Sequence, residues 1–152
     1  MALEPNDVEV YHRRGMGHYC TGIVATVDGL PIGSFLLHSD AVAGIGPLTV
    51  GPRFQSQGIG HLLLQWAIDE AHRRGIRQTR LFQEAINPTS LSLYTSVGLV
   101  WRDSAALMQA TPATADDPTV RPLTSADIDS IKFLSLQGYG FSRANDADEI
   151  YY

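Results

Sequence analysis

Apolar positions along the chain follow two different periods. From Tyr19 to Val27 and again from Pro31 to His38, β-branched and small apolar residues run without helical spacing. The dipeptide Asp28-Gly29 between them is a hairpin signal, so two antiparallel strands are predicted, with Ser39 and Asp40 closing the second. Ahead of them, Val8, Val10 and His12 alternate with Glu9, Tyr11 and Arg13, which predicts a short edge strand and then a turn over Arg14–Gly17. A further strand spans Ala41–Val50. Gly46 and Pro47 interrupt its middle, and because Pro47 has no amide to donate, a bulge is predicted there.

The period then changes to that of a helix. Ile59, Leu62, Leu63, Trp66, Ala67 and Ala71 share one face, while Gln65, Asp69, Glu70, Arg73 and Arg74 cover the other. Arg73 and Arg74 fall in the last turn, where the helix dipole favours cations, and Gly75 is placed as the C-cap. Ile76–Phe82 reads as another strand, completing a strand-helix-strand unit with a right-handed crossover. Asn87 and Pro88 suit the cap and first turn of a short helix that carries Leu91, Leu93 and Tyr94 and stops near Gly98. Leu99–Arg102 and Ser104–Ala110 are predicted to form a last strand pair. Residues 111–118, TPATADDP, form a polar, proline-bounded linker. Beyond it, TVRPLTSADIDSIKFLSL predicts a strand and then a helix. Thr124 or Ser125 is its N-cap, Asp127 lies in the first turn, and Ile128, Ile131, Phe133 and Leu134 form a partly apolar face.

A chain of 152 residues with 44% apolar content is long enough for one domain with a real core and too short for two complete ones. No run of apolar residues reaches membrane-spanning length. The opening MALEPNDVEV carries Glu4, Asp7 and Glu9 and no apolar core, so a secretory signal is not expected and a cytoplasmic location is. The lone Cys20 reads as a buried strand residue rather than a nucleophile. A net charge of −5 argues against a nucleic-acid partner and suits a cationic amine. Trp66 reads as core. His61 and His72 read as solvated helix residues, with no set of ligands for a metal.

Candidate chemistry concentrates between Val50 and Gly75. Pro52 bars further strand pairing, and Gly58 and Gly60 allow a loop whose amides converge at the start of the helix. The first helical amides have no intrahelical acceptor, and the dipole adds roughly half a positive charge there, so the point attracts anions such as phosphate. Neither a Walker nor a Rossmann glycine pattern is present. Gln55-Ser56-Gln57-Gly58-Ile59-Gly60, following Leu48-Thr49-Val50, instead resembles the pyrophosphate-binding signature [QR]-x-x-G-x-[GA] of the GNAT superfamily of acyl-CoA N-acyltransferases. Asn87, Ser90, Tyr94 and Gly98 match that superfamily's second signature, with Leu99 where Phe is usual. The resemblance covers about Tyr19 to Asp103.

It implies an α+β fold with a mixed, mostly antiparallel central sheet and flanking helices. It also implies acetyl-CoA as cosubstrate, held by the segment Gln55–His61 (Gln55, Ser56, Gln57, Gly58, Ile59, Gly60 and His61) and by Asn87. The strand backbone at Leu48, Thr49 and Val50 would bond the pantetheine arm as a mimic strand. An amide near Thr49 or Val50 would take the oxyanion, and Tyr94 would protonate the leaving thiolate. Many members carry a glutamate base on the strand that here spans Ala41–Val50, and this segment has no carboxylate. Glu84, then His38 and Asp40, or a water, are left for that role. The expected activity is direct acetyl transfer to a primary amine, on a small molecule or a peptide. The alternative is a non-catalytic acyl-CoA-binding module.

The strand and helix after residue 118 resemble the way GNAT domains usually begin, displaced here to the C-terminus. Three readings compete: a truncated second copy, a return to the chain's own sheet, or completion of a neighbouring chain. Return would span about five strand spacings, roughly 24 Å at ~4.8 Å each. The linker extends to at most about 26–29 Å, so exchange between two chains in a homodimer is the favoured expectation.

Overall fold

The computed structural model describes residues 9–14, 19–106, 108–109, 118–142 and 145. The turn expected over Arg14–Gly17 lies outside them beyond Arg14, as do residues 111–117 of the linker. Two units, Met1–Val100 and Trp101–Tyr152, are distinguished.

The first unit holds one sheet built from β1 (Glu9–Arg14), β2 (Cys20–Val27), β3 (Leu30–His38), β4 (Ala43–Val50) and β5 (Thr79–Arg80). The strands lie in the order β1-β2-β3-β4-β5. Neighbours are antiparallel except β4 and β5, which run parallel. At the β2–β3 turn, Asp28 and Gly29 have φ of 50° and 77°, the paired positive values that match the twist of a two-residue hairpin.

Helix α1 (Ile59–Arg73) covers one face of the sheet. A Cβ at Gly33 would lie 3.2 Å from Leu63 and 3.3 Å from Ile59, so the bare position in β3 is what lets the helix approach. Phe35, Leu37, Leu63, Leu64, Ala67 and Ala71 are fully buried between the two layers. Each of the larger side chains contributes about 1.5–3 kcal/mol by leaving water. Cys20 is buried in β2, as its neighbours predicted, and forms no disulfide.

The buried face of α1 differs from the predicted one at three positions. Leu62 is 36% exposed and Leu64 takes its place in the core, while Glu70, assigned to the polar face, is buried. The sheet beneath is wide enough to cover the flank that holds Leu64, Ala67 and Ala71, and Glu70 is admitted because two arginines neutralise it. Arg74 is the C-cap, one residue before the Gly75 expected there, and the amides of Gly75 and Ile76 return to His72 and Ala71 carbonyls.

The strand predicted over Ile76–Phe82 pairs only at Thr79 and Arg80, opposite Ala43 and Gly44. Its partner edge is lost where β4 bulges at Gly46–Pro47, marked by the register shift between Phe35 and Leu37 on β3. Helix α2 (Pro88–Ser96) follows, with Asn87 Oδ1 accepting from the Ser90 amide at 3.1 Å, as predicted. The strand pair expected over residues 99–110 is absent among the described residues, which run there without a ladder.

In the second unit, the strand predicted after residue 118 has no ladder either, and Pro122 there has no amide to donate. Thr124 caps a 3₁₀ turn at Ser125–Asp127 through a reciprocal box with Asp127, and α3 (Ile128–Tyr139) continues from it. Asp127 also pairs with Arg121 at 2.6 Å, and hydrogen bonds from Arg121 and Thr124 hold its carboxyl well below the usual range. Only Ser135 of α3 is buried. Of the partly apolar face predicted there, Phe133 and Leu134 are 62% and 65% exposed. Among the described residues no helix is long and apolar enough to cross a membrane.

Candidate functional site

The two halves of β4 have different neighbours. Ala43 and Gly44 are paired on both sides, by β3 and β5. From the bulge onward, Leu48, Thr49 and Val50 pair with Phe35, Ser34 and Gly33 of β3 and with no strand on the other edge among the described residues. That edge offers main-chain donors and acceptors to an extended partner. Leu48 and Val50 put their side chains against the core, and Thr49 turns to the opposite face, where its hydroxyl meets that of Ser34 at 2.6 Å. An open groove of ≈ 410 Å³ on that face, lined by Val24, Ser34, Thr49 and Gly51 among others, holds no titratable side chain.

Beyond Val50 the chain makes a 3₁₀ turn at Pro52–Phe54 and enters the loop that starts α1. Two glutamines tie this loop down: Gln55 Nε2 donates to the Val50 carbonyl at 3.1 Å and Gln57 Nε2 to the Arg53 carbonyl at 2.8 Å. Their side-chain amides therefore shape the loop, which leaves the main chain to face outward. Ser56 has φ of 60° and Gly58, the N-cap, φ of 87°. Successive amides in a turn of this kind form a concavity for an anion.

No side chain caps this helix, and its first turn carries no acid. The first helical bond runs from Leu62 to the Gly58 carbonyl at 3.0 Å. The amides of Ile59, Gly60 and His61 thus precede the ladder and donate to no acceptor among the described residues. A Cβ built on Gly58 would meet nothing within 4 Å, so the loop is open at the N-cap residue. The groups present fit a diphosphate.

Gly60 has a different task from the one its place in the loop suggests. A Cβ there would stand 3.1 Å from Leu93 Cδ2, so its bareness lets α2 pack on the start of α1. Ile59 is 2% exposed and contributes only its backbone to the site. The two helices are joined by His61 Nδ1 and Ser96 Oγ at 3.3 Å. Ser96 was not legible as a site residue, because nothing local signals a partner 35 positions away. Tyr94 is half-buried on α2, packed against the core cluster. Asn87 spends its side-chain oxygen on the α2 cap.

The candidate bases are dispersed. His38 pairs with Gly44 just before the bulge, its Nε2 lying 3.9 Å from Cys20 Sγ. Asp40 Oδ1 accepts from the Ala41 amide at 2.6 Å, while Oδ2 is buried with no partner. Glu84 is exposed in the turn before α2, its carbonyl accepting from the Asn87 amide at 3.1 Å.

At the far end of α1, Glu70 is gripped by Arg73 through two bonds of 2.6 and 2.7 Å and by Arg74 at 2.7 Å. Arg74 reaches on to Ser39 and Thr21 at 2.8 and 2.9 Å, fastening the helix to the strands. The Arg73 bonds, which outweigh the opposing effect of burial, and then those of Arg74 lower the Glu70 pKa from 4.5 to about 2.

Comparison with known proteins places this geometry. The [ribosomal protein bS18]-alanine N-acetyltransferase of Escherichia coli K12 is 39% identical over 51 residues, 34% of this chain and 34% of that protein. The Salmonella typhimurium enzyme of the same name gives the same identity over the same length. The chain thus spans about a third of the length of the curated relatives it matches. The crystal structure of the E. coli enzyme superposes with a TM-score of 0.52 at 28% identity, covering 55% of this chain and 54% of that one. An aminoglycoside acetyltransferase from an uncultured soil metagenomic sample, solved with trehalose, shares the fold at a TM-score of 0.58 and 17% identity, covering 64% of this chain and 69% of that one. Residues 3–99 match the acetyltransferase (GNAT) family profile, and the chain belongs to that family.

Proposed function

We propose that the protein is an acetyl-CoA-dependent N-acetyltransferase that transfers the acetyl group directly to a primary amine. One observation carries this reading: the half of β4 with no second strand beside it leads straight into a helix start whose amides are unspent. An extended pantetheine arm and a diphosphate are joined in that order in coenzyme A, whose thioester supplies the activated acyl group. The amides of Gln55–His61 hold the diphosphate, and the backbone of Leu48–Val50 aligns the arm. An amide near Thr49 or Val50 stabilises charge on the carbonyl oxygen, and Tyr94 donates a proton to the departing sulfur. His38, opposite Gly44 beside the bulge, takes the proton from the amine. The likeness to enzymes named for acetylating a ribosomal-protein alanine favours a peptide amine as acceptor, since the aminoglycoside enzyme resembles this chain in fold alone.

The test is calorimetry with acetyl-CoA, followed by thiol release over a panel that includes an alanine-initiated peptide, a polyamine and an aminoglycoside. Binding and turnover of the peptide are expected. A second reading, a non-catalytic acyl-CoA-binding module, draws on the lack of any carboxylate in β4. Binding without turnover of any amine would select it, and no binding at all would defeat both. A homodimer through the C-terminal tail belongs to the same proposal, supported by the exposure of Phe133, Leu134, Leu136 and Tyr139. Leu134→Asp in the full chain is expected to lower the mass seen by light scattering, and a wild type that is already monomeric would defeat the dimer.

A further inference from the structure

His61 joins α1 to α2 at the helix start of the proposed site. It lies in the first turn of α1, and its Nδ1 reaches Ser96 in the last turn of α2. The tautomer follows from the serine. Ser96 Oγ gives its only proton to the Leu93 carbonyl at 2.7 Å, so toward His61 it can act only as acceptor. Nδ1 therefore carries the ring proton, and in the neutral ring Nε2 presents a lone pair. Nε2 has no partner among the described residues, and the side chain is exposed.

Without an anion bound, a neutral ring suits the first turn of the helix, where an imidazolium would oppose the dipole. It does not suit an arriving diphosphate, which needs donors. Few charges nearby compete for control of the ring. Tyr94 is the only titratable side chain on α2, β4 has none, and those of β2 and β3 are Cys20 and His38 at the opposite end of the strands. Arg53, in the turn before the loop, is the nearest cation in sequence.

We propose that His61 takes up a proton from solvent when the coenzyme binds, turning Nε2 from an acceptor into a charge-assisted donor to the coenzyme's phosphates while Nδ1–H keeps its bond to Ser96. Coenzyme affinity is then linked to pH through a residue that takes no part in acyl transfer. This inference rests on the coenzyme reading of the site.

The experiment is calorimetric titration of acetyl-CoA at about pH 7.5 in buffers of different ionisation enthalpy, on the wild type and on His61→Gln. The coenzyme's own phosphomonoester titrates in the same range, so the difference between the two proteins is read. The wild type is expected to take up more protons per coenzyme than the variant. Its affinity should fall about tenfold between about pH 6.5 and 8.5, against less than about threefold for the variant. Equal proton uptake in both proteins overturns the proposal while leaving the coenzyme site standing. If the wild type binds no acetyl-CoA, the site reading fails and this inference with it. Should His61→Gln not fold, NMR of the wild type decides: on adding acetyl-CoA, one of the five histidine rings must move to its protonated position. No ring doing so refutes the idea.

Discussion

The two ends of α1 are opposites. At its start the helix has a glycine N-cap, no acid in the first turn and no side-chain cap, whereas α2 has its Asn87. At its finish every resource is spent: backbone amides return to Glu70, His72 and Ala71, and Glu70 holds two arginines, one of which grips β2 and the loop after β3. A glycine N-cap forgoes only about a few tenths of a kcal/mol relative to a side-chain cap. The heavily bonded finish and the buried face between them keep the helix in place, so the first turn can remain open to a ligand.

The largest expected effect breaks the open end. Gly58→Val puts a β-branched residue at φ 87°, a conformation that costs an L-residue about 1–2 kcal/mol or more, and it turns the loop amides away. Acetyl-CoA affinity by calorimetry should fall about 100-fold. Retained affinity would reduce this end to a structural turn. Tyr94→Phe, on the helix packed against the open end, should lower kcat by about 10 to 100-fold with little change in KM for acetyl-CoA. An unaltered rate at every pH would remove Tyr94 from the chemistry.

The closed end should respond in stability alone. Glu70→Gln leaves two arginines without their carboxylate and should cost about 1–3 kcal/mol in urea unfolding, with coenzyme affinity preserved. The sign with pH follows from the lowered pKa. Glu70 contributes fully above 4.5, and its contribution is lost as pH falls toward about 2, so the wild type should weaken over that window more steeply than the variant. The smallest effect belongs to Gln55→Ala, which removes the tie to the Val50 carbonyl. It should weaken coenzyme binding by about 3 to 10-fold, the value of one neutral hydrogen bond.

Much of this was legible in the chain because the signals are local. The Asp28-Gly29 hairpin, the Asn87-Pro88 helix start, the bulge at Gly46–Pro47 and the apolar period of α1 each depend on residues a few positions apart. So does the helix start itself, which Gly58 and Gly60 mark just ahead of the apolar period. Features that failed or went unseen needed a partner from elsewhere. The strand at Ile76–Phe82 has β-forming residues but loses its neighbour past Gly44. Glu70 has its arginine partners close by on the helix, but the strand contacts of that cluster, Arg74 to Ser39 and Thr21, come from far away in the chain.

The sequence by itself determined the order of strands and helices from β1 to α2, the family and the glycine loop ahead of α1, since periodicity, turn chemistry and short motifs act within a few residues. Only the tertiary structure showed that Gly60 makes room for α2, that β4 leaves one edge of its second half unpaired, and that His61 meets Ser96. Those facts arise where segments distant in the chain come within a few ångströms of each other, and a linear pattern carries no record of that approach.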